Sequence, residues 1–298
     1  MKIGLIGLGK MGMNLALNMQ DNGHTPVGYD LNPDNLTAAT NNGLATATSL
    51  ADLLAKLPTP KIVWVMVPAG GPTDTVITQL SENLTAGDIV LDGGNSHYQD
   101  SLRHAELLKK QAIHFLDVGT SGGQAGARKD GNFMIGGDPD VFKIVEPLFA
   151  AIAATDGYLY TGPAGSGHFL KMVHNGIEYG MMAAIGEGFD VLQHSQYDYD
   201  NQAVAKVWSN GSVIRSWLME LAQTAFEQDG NLDEIKGTMH SSGEGRWTLD
   251  TALDQQVATP VIAMALMERY RSLSDDTFTG KVVSALRNQF GGHAVDHE

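Results

Sequence analysis

Two hydrophobic periods alternate through the first half of the chain. Short runs rich in Ile, Val and Leu, closed by Gly, Pro or Asp, occur at Lys2–Ile6, Thr25–Tyr29, Ile62–Val67, Asp88–Leu91 and His114–Val118. Runs this short and this apolar predict strands buried on both faces. Between them apolar residues recur at helical spacing, as over Met11–Gln20 and Asp100–Gln111. The alternation predicts an α/β fold: a Rossmann-type, doubly wound parallel sheet. Asn132–Ile135 and Tyr158–Tyr160 are candidates for further strands at an edge. Near Gly162–Gly167 the pattern changes, and from His168 onward only helical periods remain. The expected division is a Rossmann domain over 1–165 followed by an all-helical C-terminal domain over 166–298.

The turn after the first strand reads Gly7-Leu8-Gly9-Lys10-Met11-Gly12. A Gly-x-Gly-x-x-Gly between a strand and a helix is the context in which this spacing binds a dinucleotide. Gly7 allows a tight turn, Gly9 lets backbone approach a pyrophosphate, and Gly12 lets helix and strand pack closely. The helix N-terminus then faces the phosphates. Asp30, at the end of the second strand, can accept hydrogen bonds from a ribose hydroxyl. The expected cofactor is NAD.

Composition narrows the class. The 298 residues hold 34 acidic and 19 basic side chains, a net charge of -15. A field of that sign repels phosphate backbones and argues against nucleic acid as a partner. An anionic substrate would need a local cluster of Arg, Lys and His. The absence of cysteine excludes disulfides, zinc–thiolate sites and a thiol nucleophile. Neither the start of the chain nor any later run reads as a signal peptide or a bilayer span, so the expected location is cytoplasmic.

The run His168–Gly180 places Lys171, His174, Asn175, Glu178 and Tyr179 at i, i+3, i+4, i+7 and i+8. On a helix these form one stripe about 140° wide. Met172, Val173, Gly176, Ile177 and Gly180 take the other side. A solvated surface stripe is the plainer alternative, but it usually carries exchangeable charges rather than this mixed set. A cleft-facing stripe, with the glycines letting another element approach from behind, is the preferred reading. Trp208, Trp217 and Trp247 read as core, Asp198 and Asp200 as a loop and an N-cap, and the thirteen methionines as filling between helices.

The stretch Gly167–Gly180 (GHFLKMVHNGIEYG) resembles the signature of the decarboxylating 6-phosphogluconate dehydrogenases. So do Asp92-Gly-Gly-Asn-Ser96, Thr120-Ser-Gly-Gly-Gln-Ala-Gly-Ala-Arg128, the GEGRWT of 243–248 and the RNQFGGH of 287–293. These segments cover the chain in the family's order. The length resembles the family's short form, with one helical half where the long form has a duplicated one.

The resemblance implies oxidation at C3 of 6-phosphogluconate, loss of CO2 from the resulting 3-keto acid, and protonation to ribulose 5-phosphate. It implies Lys171 as base and then polariser of the ketone, and Glu178 as acid. Two turns of helix would set their Cα atoms about 10.5 Å apart on one face, so two long side chains could converge. A free lysine titrates near ~10.4, so the site would have to lower that value by burial. No metal is expected, because the ammonium can polarise the ketone. By resemblance Asn95 meets cofactor and sugar, and Ser121, Gly122 and Gly123 hold the carboxylate end. His174, Asn175 and Tyr179 line the stripe, and Arg246, Thr248 and Arg269 serve the phosphate side. Arg271 is the alternative to Arg269. Val67, Pro68 and Ala69 would lie under the adenosine. Arg287 and His293 would belong to a tail that completes a neighbouring subunit's site in a homodimer or homotetramer. NADP-using members carry an Arg just after the position of Asp30, where this chain has Leu31. Two other readings remain: a non-decarboxylating 3-hydroxyacid dehydrogenase, and a catalytically silent NAD-binding sensor.

Overall fold

The computed structural model describes residues 1–291 and 294–296. The chain forms two compact units, Met1–Asn175 and Gly176–Glu298. In chain order the first unit carries β1 (Lys2–Ile6), α1 (Lys10–Asp21), β2 (Thr25–Tyr29), α2 (Pro33–Asn41), β3 (Ala45–Thr46), α3 (Leu50–Ala55), β4 (Ile62–Val65) and α4 (Gly71–Asn83). It continues with β5 (Ile89–Asp92), α5 (Tyr98–Lys109), β6 (His114–Ser121), α6 (Gly123–Arg128), β7 (Gly131–Gly137), α7 (Pro139–Ile152) and β8 (Ala153–Gly162). The next helix, α8 (Ser166–Gln193), starts in this unit where the hydrophobic period changes.

The strands lie in the order β3-β2-β1-β4-β5-β6-β7-β8. The sequence predicts a parallel sheet with the added strands at an edge. The structure corrects this at one step: β7 runs antiparallel to β6, and β8 outside it is parallel to β7. A parallel return needs a crossover of a dozen residues or more. Only Gly122–Asp130 joins β6 to β7, whereas the longer α7 carries the chain from β7 to β8.

Strand pleating explains why the β runs are apolar throughout. Ile62 and Trp64 of β4, Ile89 and Leu91 of β5, and Leu116 and Val118 of β6 enter one core with α1 and α7. The alternate residues Val63, Val65, Val90 and Phe115 enter the opposite core, with Leu53 of α3, Ile77 and Leu80 of α4 and Leu108 of α5. Each of these three central strands is therefore covered on both faces, as a doubly wound sheet requires. Asp88, just before β5, has a fully buried side chain. It accepts the N–H groups of Lys61 and Thr85 at 2.7 and 2.9 Å, joining the starts of β4 and β5.

The second unit holds the rest of α8, then α9 (Asn201–Ser209), α10 (Trp217–Gln228), α11 (Gly243–Asp254), α12 (Pro260–Arg271) and α13 (Phe278–Gly291). Its apolar clusters are small: Phe189, Ala205, Met219 and Phe226 form one, and Tyr179, Ala265 and Leu266 another. Trp208 packs against Phe189 with its ring tilted, as a core residue should, and Asp200 caps α9 through the N–H of Ala203. Trp217 does not join a core; it is half exposed, as are Met264 and Met267. These three correct the expectation of tryptophans as core and methionines as filling. Apolar residues along these helices, including Val207, Leu253, Val261 and Phe278, are more than half exposed among the described residues. Among the described residues no helix is long and apolar enough to cross a membrane.

Candidate active site

The strand order reverses at β1, with β2 and β3 on one side and β4 on the other. Such a switch point leaves a crevice beyond the carboxyl ends of the strands. A cleft of about 670 Å³ lies there, lined by Gly7, Gly9, Asp30, Leu31, Val67 and Pro68 among others. The glycines differ in their reasons. Gly7 has φ +96°, and a Cβ there would lie 2.3 Å from the carbonyl oxygen of Met66. A Cβ on Gly12 would lie 1.9 Å from the carbonyl oxygen of Gly7. Gly9 has nothing within 4 Å of its Cβ position and caps α1, so bare backbone faces the cleft. Leu8 is buried, while Lys10 is exposed and Met11 partly so.

Asp30 follows β2 directly. Its carboxylate accepts the Leu8 N–H at 2.6 Å, the Asn32 N–H at 2.7 Å and the Asn35 amide at 3.1 Å. The acid that the motif calls for is thus tied to the glycine turn itself. Leu31 beside it is 89% exposed. Ala69 follows Pro68, whose carbonyl accepts the Thr73 hydroxyl. Asn95 sits in the loop after β5. Buried Asp92 accepts the Gly94 N–H and the Ser96 hydroxyl, which folds that loop and leaves Asn95 exposed.

The first turns of α8 bring several sequence-predicted residues together. Lys171 is 6% exposed and donates to Asn175 Oδ1 at 2.5 Å. Its Nζ is 3.5 Å from His174 Nδ1, and that nitrogen is 2.9 Å from Asn175 Oδ1. The ring of His174 thus lies against both Lys171 and Asn175, with Nε2 on its far side. Ser121, the last residue of β6, meets Nε2 at 3.2 Å. Gly122, with φ +96°, and Gly123 open α6 immediately after it.

In the second unit, Glu178 is partly exposed. Tyr179 is buried, and its hydroxyl accepts the Ser242 N–H at 3.1 Å. Gly176 and Gly180 do admit neighbours closely: Cβ atoms there would lie 2.8 Å from Thr248 and 3.1 Å from Val261. Ile177, placed by its period on the packed side, is 53% exposed, because small residues rather than Ile177 form that contact. Thr248 is buried on α11, and Arg246 is exposed beside Asp250. Arg269 lies 3.6 Å above the Tyr179 ring and donates to the His240 carbonyl at 2.7 Å. Arg271 turns instead to the Ser274 carbonyl. Arg287 is exposed on α13, and His293 lies outside the described residues.

The sequence reading passed over Asp117, Ser101, Asn35 and Ser242. Asp117 carried a signal, a lone carboxylate inside an apolar strand. Ser101 and Ser242 act through partners distant in sequence, and Asn35 through Asp30, five residues before it.

Comparison with known proteins agrees with this geometry. Residues 2–162 match the model of the NAD binding domain of 6-phosphogluconate dehydrogenase, and residues 167–281 match that of the 6-phosphogluconate dehydrogenase C-terminal domain. A Bacillus subtilis protein, YqeC, provisionally named a 6-phosphogluconate dehydrogenase, is 59% identical over 296 residues, covering 99% of each chain. The NAD(+)-dependent, decarboxylating 6-phosphogluconate dehydrogenase of Haloferax volcanii is 43% identical, covering 99% of this chain and 98% of its own. The solved Plasmodium falciparum 6-phosphogluconate dehydrogenase superposes with a TM-score of 0.85 at 29% identity, covering all of this chain and 66% of that one. A glycine turn tied to Asp30, a buried lysine at the head of a long helix and matches along nearly the whole length leave one conclusion: this chain belongs to the 6-phosphogluconate dehydrogenase family.

Proposed function

We propose that the protein catalyses the oxidative decarboxylation of 6-phosphogluconate to ribulose 5-phosphate and CO2, with NAD as the oxidant. The observation that carries this reading is the buried Lys171, which donates to Asn175 and lies 3.5 Å from the His174 ring, whose other nitrogen meets the Ser121 hydroxyl. The bare backbone at Gly9 and the carboxylate of Asp30 suit a dinucleotide, with Gly7–Gly12 at the pyrophosphate, Asp30 at the adenosine ribose and Val67–Ala69 under the base. When bound, NAD would supply the hydride acceptor for the oxidation at C3.

The chain's own groups handle the protons and the charge. Lys171 takes the proton of the C3 hydroxyl as the ketone forms. Its ammonium then faces the ketone oxygen, which gathers negative charge as the C1–C2 bond breaks and CO2 leaves. Electrostatic stabilisation by a group already in place is effective at such a step. Glu178 delivers the proton to the carbon that becomes C1 of the product. Ser121, Gly122, Gly123 and Asn95 hold the carboxylate end, with His174 and Asn175 beside the reacting carbons. Tyr179, Arg246, Thr248 and Arg269 serve the phosphate end. Arg269 is supported over Arg271 because its guanidinium sits on Tyr179. Arg287 and His293 would come from a second copy of the chain, whose binding would also cover the exposed apolar rows of the helical unit.

NAD is preferred over NADP in this reading. A 2'-phosphate at Asp30 would meet its carboxylate, with Leu31 where NADP-using members carry an Arg. A non-decarboxylating 3-hydroxyacid dehydrogenase would account for Lys171 but leave Glu178 and the arginines without a task. A silent sensor would need neither acid nor base. The test is to supply 6-phosphogluconate and NAD and follow NADH and CO2 together. Equal amounts are expected; NADH alone would favour the hydroxyacid dehydrogenase, and neither product the sensor.

A further inference from the structure

We infer that β6 sets the position of Lys171, with Asp117 and Gly119 as positioning residues for the reaction. The inference rests on the role proposed above for Lys171. Pleating puts Phe115, Asp117, Gly119 and Ser121 of β6 on one face of the sheet. Phe115 enters the core that includes Leu108 of α5. The three residues after it on that face each meet the start of α8. Asp117 is fully buried, and its two carboxylate oxygens accept the N–H groups of Gly165 and His168 at 2.6 and 2.8 Å. Donors in the first turn of a helix have no partner within it, and an ionised acceptor binds them strongly. At Gly119 an added Cβ would lie 2.4 Å from the Lys171 Cβ and 3.0 Å from the Gly167 carbonyl oxygen. Ser121 meets His174, which touches Lys171.

The spacings agree. From 117 to 121 a strand advances about 13 Å, and from 165 to 174 a helix advances about 13.5 Å. Strand and helix can therefore stay in register over all three contacts. Two more contacts fix the helix start. The Ser101 hydroxyl of α5 lies 2.7 Å from His168 Nδ1, and a Cβ on Gly167 would lie 2.4 Å from the Met134 carbonyl oxygen. The helix thus rests on strand backbone, with little room to slide or rise. Carbon atoms in ordinary contact are about 3.5–4.0 Å apart, so a methyl at 119 would displace Lys171 by roughly 1 Å or more.

The test uses two variants of the full chain, Gly119→Ala and Asp117→Asn, assayed with 6-phosphogluconate and NAD. Gly119→Ala is expected to lower kcat about 10²-fold, the usual effect of a 1 Å misplacement of a catalytic group. Asp117→Asn sets an amide N–H2 against one of the two backbone donors, and about a tenfold loss is expected. Both should bind NAD within about twofold of the parent chain. Both should show a larger primary isotope effect with substrate deuterated at C3, because hydride transfer becomes slower than the other steps. A merely less stable protein would lose kcat in proportion to its inactive fraction and keep its isotope effect. Near-parental kcat in both variants, an unchanged isotope effect, or NAD affinity lost in step with kcat would overturn the assignment. If the parent chain itself forms no NADH, the proposed reaction has failed, and the positioning roles fail with it.

Discussion

At the residue scale, Lys171 and Glu178 should separate cleanly in kinetics. Lys171→Met keeps an unbranched side chain one atom shorter and removes the base and the cation. Turnover should fall about 10³-fold or more, while NAD titrations keep their midpoint. Glu178→Gln should slow turnover about 10²-fold, since protonation alone is impaired. Near-normal rates in either variant would mean that the roles are misassigned. Specificity rests on another pair of residues. The Asp30 carboxylate already accepts backbone N–H groups of Leu8 and Asn32, and exposed Leu31 offers no charge. NAD should therefore exceed NADP by about 100-fold in kcat/KM, or about 2.7 kcal/mol. Leu31→Arg should narrow that ratio by about tenfold; comparable kcat/KM for the two cofactors in the parent chain would contradict the reading.

At the element scale, the sheet is held together by more than apolar strands. Burial alone would push the Asp88 carboxyl up. The N–H groups of Thr85 and Lys61, the Thr85 hydroxyl and the Lys61 ammonium outweigh it and hold the carboxyl below its usual range. A carboxyl depressed in the folded state adds stability that is present above its unfolded value and is lost as pH falls through the folded one. Asp88→Ala should cost about 3 kcal/mol at neutral pH, because it leaves buried donors and a cation unpaired. Urea melts repeated across pH should show a shallower acid-side decline in the variant than in the parent chain. Most elements were legible because strand and helix periods differ and the glycine turn sits between them. The two-residue β3 was too short to leave a pattern. β6 extends past Val118 because β7 pairs with Gly119–Ser121, whose small polar sequence reads as loop. The stacking of Arg269 on Tyr179 and the hold of Asp117 on α8 depend on tertiary placement that no local spacing encodes.

At the scale of the whole molecule, the helical unit exposes Val261, Met264, Met267 and Phe278, apolar surface that suits a second copy. Arg287 stands exposed near the end of α13, where it could reach another subunit's site. Complementation tests this. A Lys171→Met chain and a chain truncated before Arg287 should each be inactive. Refolded together, they should recover about one working site per mixed dimer. Verified mixed dimers without activity would show that each tail serves its own subunit or none.

The most direct test of the account follows a single carbon. With 6-phosphogluconate labelled at C1, one labelled CO2 should appear for each NADH, and the ribulose 5-phosphate should carry no label. NADH formed while the label stays in a non-volatile product would contradict the account.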